Sequence, residues 1–174
     1  LAVDNSKFKI QNSKPDFALA DDSGLEVDAL DAKPGVHSAR FAAFDRSADG
    51  LPANASDSEN NEKLLRFLKT IPPEKRSARF HCVLAFAPVL EKKNENASPV
   101  CYADVFEAQT ESFDGVCEGK IIFAPRGQNG FGYDPLFVPN GFEKTFAELG
   151  EDVKNKISHR AKALEKLKMF LTTK

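Results

Sequence analysis

Two adjacent acids, Asp21 and Asp22, follow the apolar run Phe17-Ala18-Leu19-Ala20 and precede Ser23-Gly24. The run reads as a short buried strand, and a carboxylate at its end is aimed where loops build a site. Neighbouring side chains of an extended chain point in different directions. One carboxylate can therefore hold a metal or a water while the other is tied to the backbone. Oxygen ligands of this kind suit Mg²⁺, which also takes phosphate oxygens and water. Taken alone, Asp-Asp-Ser-Gly also reads as a plain turn, because all four residues favour turns.

A second candidate is the stretch from Gly127 to Pro135, with glycines at 127, 130 and 132. Such a loop lets the backbone approach a ligand closely, and successive N–H groups can face an anion. Phe131 and Tyr133 offer flat faces on which a base could stack, and Asp134 can accept from a donor edge. The Walker pattern occurs nowhere in the chain. A third candidate is basic: Lys154, Lys156, His159 and Arg160 crowd the expected start of the last helix. Cations there oppose the helix dipole, whereas the free N–H groups of a helix start favour an anion. The arrangement makes sense with a phosphate or a base carbonyl as partner. It also reads as a solvated patch balanced by Glu148, Glu151 and Asp152. His81 reads as a histidine of an apolar strand, and His37 lies in a turn.

The elements that must carry these residues follow from periodicity. The 174 residues suffice for one domain with a real core, and fifteen phenylalanines suggest what fills it. A net charge of −2 excludes a protein that coats nucleic acid through bulk positive charge. Cys82, Cys101 and Cys117 form no CxxC pair and read as buried thiols. The run from Cys82 to Leu90 is too short to span a membrane and no leader segment is visible, so cytoplasmic residence is the default. The chain begins with Leu1 and its sole methionine is Met169, so a piece is expected to be missing before residue 1. Asp4 to Gln11 reads as a helix end. Leu25 to Leu30 alternates as a half-exposed strand, and Pro34-Gly35 signals a turn. The stretch 45–58 reads as a surface loop. A helix with capping-box spacing at Ser56 and Glu59, and with Asp57 and Ser58 as equally plausible caps, carries Leu64, Leu65, Leu68 and Ile71. Strands are expected at Arg79–Ala87, Val100–Gln109, Ile121–Ala124 and Leu136–Val138, the first two joined by the polar link Glu91 to Ser98. One helical turn is expected near Thr145–Gly150. A last helix from about Ser158 to Leu171 would turn Leu164, Leu167, Phe170 and Leu171 inward.

Taken in order, FALADDSGLEVDAL, PGVHSARFA, SENNEKLLRFL, ARFHCVLAF, EGKI, GFGYDPLFVP, TFAEL and KNKISHRAKAL resemble the motifs of the inosine triphosphate pyrophosphatase family. The resemblance spans nearly the whole chain. It implies an α/β fold: an elongated, curved mixed β-sheet flanked by helices, with a long active-site cleft, as a single domain over residues 1–174. It implies hydrolysis of ITP, dITP and XTP to the nucleoside monophosphate and pyrophosphate, with Mg²⁺ as cofactor, in a homodimer that engages neither nucleic acid nor membrane. By motif, Asp22 is the proton acceptor and a magnesium ligand. Ser23, Phe131, Gly132, Tyr133, Asp134, Lys154, His159 and Arg160 bind substrate. The family's first strand and its Ser/Thr-Gly-Asn-x-x-Lys phosphate loop would lie before residue 1. Two alternatives stand beside this reading. One is a catalytically silent nucleotide-binding protein of the same fold lacking that loop. The other is a metal-dependent phosphatase of different specificity.

Overall fold

The computed structural model describes residues 17–46, 53–89 and 110–173. The expected strand at Val100–Gln109, the link Glu91 to Ser98 and the helix end at Asp4 to Gln11 lie outside the described residues. Those residues fall into two units, a smaller one drawn from Leu1–Ala20 and Ala85–Glu111 and a larger one drawn from Asp21–Leu84 and Ser112–Lys174. In the smaller, the rings of Phe17 and Phe86 stack with centroids 4.8 Å apart. The larger holds every candidate residue.

Among the described residues five strands, β1 (Phe17–Val27), β2 (Lys33–Gly35), β3 (Ser77–Pro88), β4 (Glu111–Ile121) and β5 (Phe137–Pro139), form one sheet in the order β2-β1-β3-β4-β5. Its outer pairs are antiparallel, with Leu25 opposite Gly35 and Ile121 opposite Phe137. Among the described residues four α-helices accompany it: α1 (Asp57–Phe67), α2 (Phe146–Leu149), α3 (Glu151–Ile157) and α4 (His159–Thr172). Strand alternation sorts the sheet into two faces. Leu25, Val27, Ala78, Phe80, Cys82, Cys117 and Ile121 are buried on one. Glu26, Asp28, Arg79, His81 and Glu118 occupy the other, where Arg79 pairs with Asp28 at 2.8 Å and Glu118 at 3.1 Å. The core packs phenylalanines among leucines such as Leu25, Leu64, Leu68 and Leu136: Phe80 meets Phe137 edge-on at 4.7 Å, and Phe137 stacks on Phe146 at 5.3 Å. Among the described residues no helix is long and apolar enough to cross a membrane.

Helix α1 forms where the capping box predicted it. Ser56 accepts from the Glu59 N–H, and the Glu59 carboxylate accepts from the Ser56 N–H at 3.0 Å. Its far end is closed by the buried Arg76, whose guanidinium donates to the carbonyls of Leu68, Ile71 and Ile122. The Leu68 carbonyl would otherwise be orphaned at the helix end.

Four expectations need correction. Asp21-Asp22-Ser23-Gly24 does not stop the first strand; β1 runs through it to Val27, and the run before it is exposed rather than buried. Pro34-Gly35 is part of strand β2. The strand expected at Ile121–Ala124 does not form; β4 runs from Glu111 and ends at Ile121, and its two glycines masked its alternation. Both are required by packing. A Cβ on Gly115 would overlap the His159 carbonyl at the start of α4, and one on Gly119 would overlap β5 at Val138. Finally, Leu164 and Leu171 are exposed; the buried positions of α4 are His159, Ala163 and Leu167, four residues apart.

The contact at Gly115 seats the helix that carries His159 and Arg160. Gly115→Ala is expected to destabilise the fold by about 1–3 kcal/mol through overpacking, read as a lower urea midpoint at unchanged slope. An unchanged midpoint would mean that α4 does not press on β4 there.

Candidate functional site

The turn from Gly127 to Asp134 is irregular, as its glycines required, with left-handed backbone at Gly127, Gly130 and Gly132. Its end folds back on itself. The Phe131 N–H donates to the Asp134 carboxylate at 3.0 Å, and the Asp134 N–H donates to the Phe131 carbonyl at 3.2 Å. A side chain on Gly130 would collide with that carboxylate. Asp134 is 1% exposed, and the oxygen that takes the Phe131 N–H also takes the ammonium of Lys154 from α3. Tyr133 is also buried, and its hydroxyl donates to the Ser38 carbonyl at 2.9 Å. Burial, reinforced by the nearby Asp57 charge, pushes its phenol pKa well above the ordinary value. Neither side chain is therefore open in the way the sequence suggested: Tyr133 offers no free face for stacking and Asp134 no free acceptor edge. Phe131 does, with 53% of its surface exposed.

Ser158 caps α4 by accepting the Ala161 N–H, and this places His159 and Arg160 in its first turn. The expected single basic helix start is split, because Lys154 and Lys156 belong to the separate helix α3. The His159 ring is 3% exposed and stacks on Phe80 at 4.9 Å. Burial, with the nearby charges of Arg160 and Lys154, pushes its pKa from 6.5 down to about 3, so the ring is neutral near pH 7. Its buried Nδ1 has no hydrogen-bond partner among the described residues. A neutral imidazole carries one donor and one acceptor nitrogen, so it is not the cation that the sequence reading counted.

Arg160 reaches back to the sheet. Its Nε donates to Asp21 Oδ2 at 2.8 Å and its Nη2 to Asp21 Oδ1 at 3.2 Å. Ser23 also donates to Asp21, at 2.8 Å, so its hydroxyl proton is committed to that carboxylate. Desolvation alone would raise the Asp21 pKa, but the hydrogen bonds from Arg160 and Ser23 and the Arg160 charge outweigh it and hold the carboxyl below the usual range. The second carboxylate is thus tied to a guanidinium rather than to backbone. Strand alternation turns Asp22 to the opposite face of the sheet from Asp21. Among the described residues no side chain pairs with Asp22.

Phe131, Lys154, His159 and Arg160, with Asn129 and Phe146, line a cavity of about 450 Å³. The Lys154 ammonium lies 4.2 Å from the centre of the Phe131 ring, and the Arg160 guanidinium 5.5 Å. Of the residues proposed from sequence, these four meet at the cavity, with Asp134 and Ser23 behind them as partners of Lys154 and Asp21. Asp22 does not line it. Sequence reading missed Asp57 and Asn61 of α1, which hydrogen-bond Gly132, and Ser38, which holds Tyr133. The only signal for the first two was a polar pair four residues apart on one helix face.

A model of the Ham1 family matches residues 2–170. The dITP/XTP pyrophosphatase of Opitutus terrae is 46% identical over 151 residues, covering 87% of this chain and 62% of that protein. The dITP/XTP pyrophosphatase of Bacillus cereus is 48% identical over 152 residues, with the same coverage of 87% and 62%. The chain thus spans somewhat over three fifths of the length of these curated relatives. Among solved structures, the Ham1 protein of Staphylococcus aureus superposes with a TM-score of 0.70 at 37% identity, over 91% of this chain and 68% of that one. A HAM1 protein from Coxiella burnetii gives 0.69 at 42% identity, with the same shares of 91% and 68%.

His159 makes stability depend on pH in a stated direction. The unfolded chain takes up a proton near 6.5, whereas the folded ring resists it down to about 3. The contribution is complete above 6.5 and is lost as pH falls toward about 3. Urea unfolding at pH 7 and pH 4.5 should therefore show a larger acid loss for the wild type than for His159→Gln. Equal losses would mean that the ring is not buried in its neutral form.

Proposed function

The chain belongs to the Ham1 family, the inosine triphosphate pyrophosphatases that its motifs resemble, and from this membership we propose that it hydrolyses dITP, XTP and ITP to the nucleoside monophosphate and pyrophosphate. The observation that carries the reading is the cavity in which Phe131, Lys154, His159 and Arg160 converge. A purine stacks on the exposed Phe131 ring. Lys154 has ammonium donors to spare after Asp134, and Arg160 keeps N–H donors after Asp21. Their charges are balanced by those acids, so they serve as directed donors to carbonyl or phosphate oxygens. Neutral His159 lines the same cavity and carries one donor and one acceptor nitrogen. Adenine presents an amino group where these purines present a carbonyl, and a site with buried groups built for one pattern rejects the other.

The resemblance supports Asp22, exposed and on the other face of β1 from Asp21, as the base that orients and deprotonates the attacking water. The donor set also fits Mg²⁺. Among the described residues no three His, Cys, Asp or Glu side chains cluster to cage a metal, and this ion needs only one or two carboxylates, the rest of its shell being water and phosphate. Asp22 would hold it, and when bound it neutralises the triphosphate and fixes its geometry. Ser23 acts beside this step by holding Asp21. The resemblance further supports a homodimer.

The protein incubated with Mg²⁺ and dITP or XTP should release monophosphate and pyrophosphate, with ATP turned over far more slowly. Orthophosphate as the product overturns the reaction, and equal rates on ATP overturn the specificity. Asp22→Asn should cut kcat by about a hundredfold or more, the range of a lost general base, at an unchanged unfolding midpoint. Retained turnover removes Asp22 from that role.

A further inference from the structure

Gly132 sits between the exposed Phe131 and the buried Tyr133 with a left-handed backbone, φ 61°. A Cβ there would meet nothing within 4 Å, so glycine serves the backbone conformation and not a close approach. Such a residue is also the most freely moving in a loop. Both of its backbone groups are nevertheless held by one helix. Asp57 Oδ2 accepts the Gly132 N–H at 2.7 Å, and Asn61 Nδ2 donates to the Gly132 carbonyl at 3.0 Å. Positions four apart lie on the same face of a helix, one turn above the other, and Asp57, in the first turn of α1, is favoured there by the helix dipole.

The neighbours of Gly132 are anchored elsewhere. The Phe131 N–H is taken by Asp134, and the Tyr133 hydroxyl by Ser38. The turn is thus held at three successive residues, at the backbone of Phe131 and Gly132 and at the side chain of Tyr133, and the Phe131 ring is what it leaves to the cavity. We infer that Asp57 and Asn61 are positioning residues for nucleotide binding: by gripping Gly132 at both backbone groups they set where the Phe131 ring stands. The inference rests on the proposed reading of the cavity as a purine site. It assigns α1 a part in substrate affinity, with no contact to the reacting atoms.

The probe is inosine 5′-monophosphate, which tests binding without turnover, alongside dITP kinetics and hydrogen exchange at the Gly132 amide. Asp57→Ala should speed that exchange, weaken monophosphate binding and raise the KM for dITP by about tenfold, the size of one lost hydrogen bond to a charged acceptor, with kcat nearly kept. Asn61→Ala should act in the same direction. Asp57→Asn retains an acceptor oxygen and should rescue affinity. Ser58→Ala, on the same helix turn but with its hydroxyl bonded to Glu62 among the described residues, should leave KM unchanged, which separates positioning from a general loosening of α1. Unchanged affinity in Asp57→Ala, or a matching loss in Ser58→Ala, overturns the inference alone. A wild-type protein that neither binds the monophosphate nor cleaves dITP overturns the functional reading and the inference with it.

Discussion

A carboxylate removed from water must find its compensation inside the protein, and an unpaired one costs several kcal/mol. Asp134 is that group here, and the arrangement of the cavity follows from how it is satisfied. One of its oxygens receives the Phe131 N–H and the Lys154 ammonium, while its backbone carbonyl receives the Ala147 N–H at 3.3 Å. These contacts join the glycine turn to α3 and α2. They also constrain the sequence around them. Position 130 must lack a side chain so that the carboxylate can fold under the turn. Position 154 must carry a cation long enough to reach it, and the same ammonium then lies against the Phe131 ring. A buried ion pair of this kind does not by itself add stability. What it fixes is the relation between an aromatic surface and the helix starts that face it.

The parts of this fold that were legible in the sequence are those written locally. The capping box of α1, the glycine turn, the single turn at Phe146–Leu149 and the capped start of α4 each depend on residues within four positions of one another. The parts that were not legible depend on a partner far along the chain. Gly115 and Gly119 look like strand breaks until α4 and β5 lie against them. His159 looks like a cation until Phe80 covers it, although its spacing with Ala163 and Leu167 carried the hint. Helix α3, Glu151–Ile157, has too few apolar positions to show a stripe. The polar residues of α1 looked like a solvated face, yet Asn60 accepts the Ala42 N–H at 2.8 Å and donates to the Ala39 carbonyl at 3.3 Å. They bond backbone where apolar residues would only pack.

The two faces of the sheet separate two kinds of chemistry. The helix-covered face holds the core, and at its margin the exposed Asp21 is paired with Arg160 and Ser23. The other face carries charged side chains in water, where Arg79 links acids from β1, β4 and the turn after β1. Adjacent residues of one strand thereby acquire different characters without any difference in their own composition. The acid pair is best understood as one structural carboxylate and one available carboxylate.

Because positions 21 and 22 hold the same residue, a slip of β1 by one place would still leave a carboxylate facing Arg160. Chemistry at the pair cannot detect the error. Gly24 can. Its α-carbon lies so near the Gly35 carbonyl that any Cβ would overlap it. Ser38 closes the same joint by accepting the Leu25 N–H at 2.8 Å and donating to the Gly35 carbonyl at 2.6 Å. A slipped strand would force Ser23 or Leu25 into a slot with no room for a side chain, and would turn Leu25 and Val27 out into water. Gly24 therefore serves as a frame marker: the residue without a side chain does the counting for two residues whose side chains are indistinguishable.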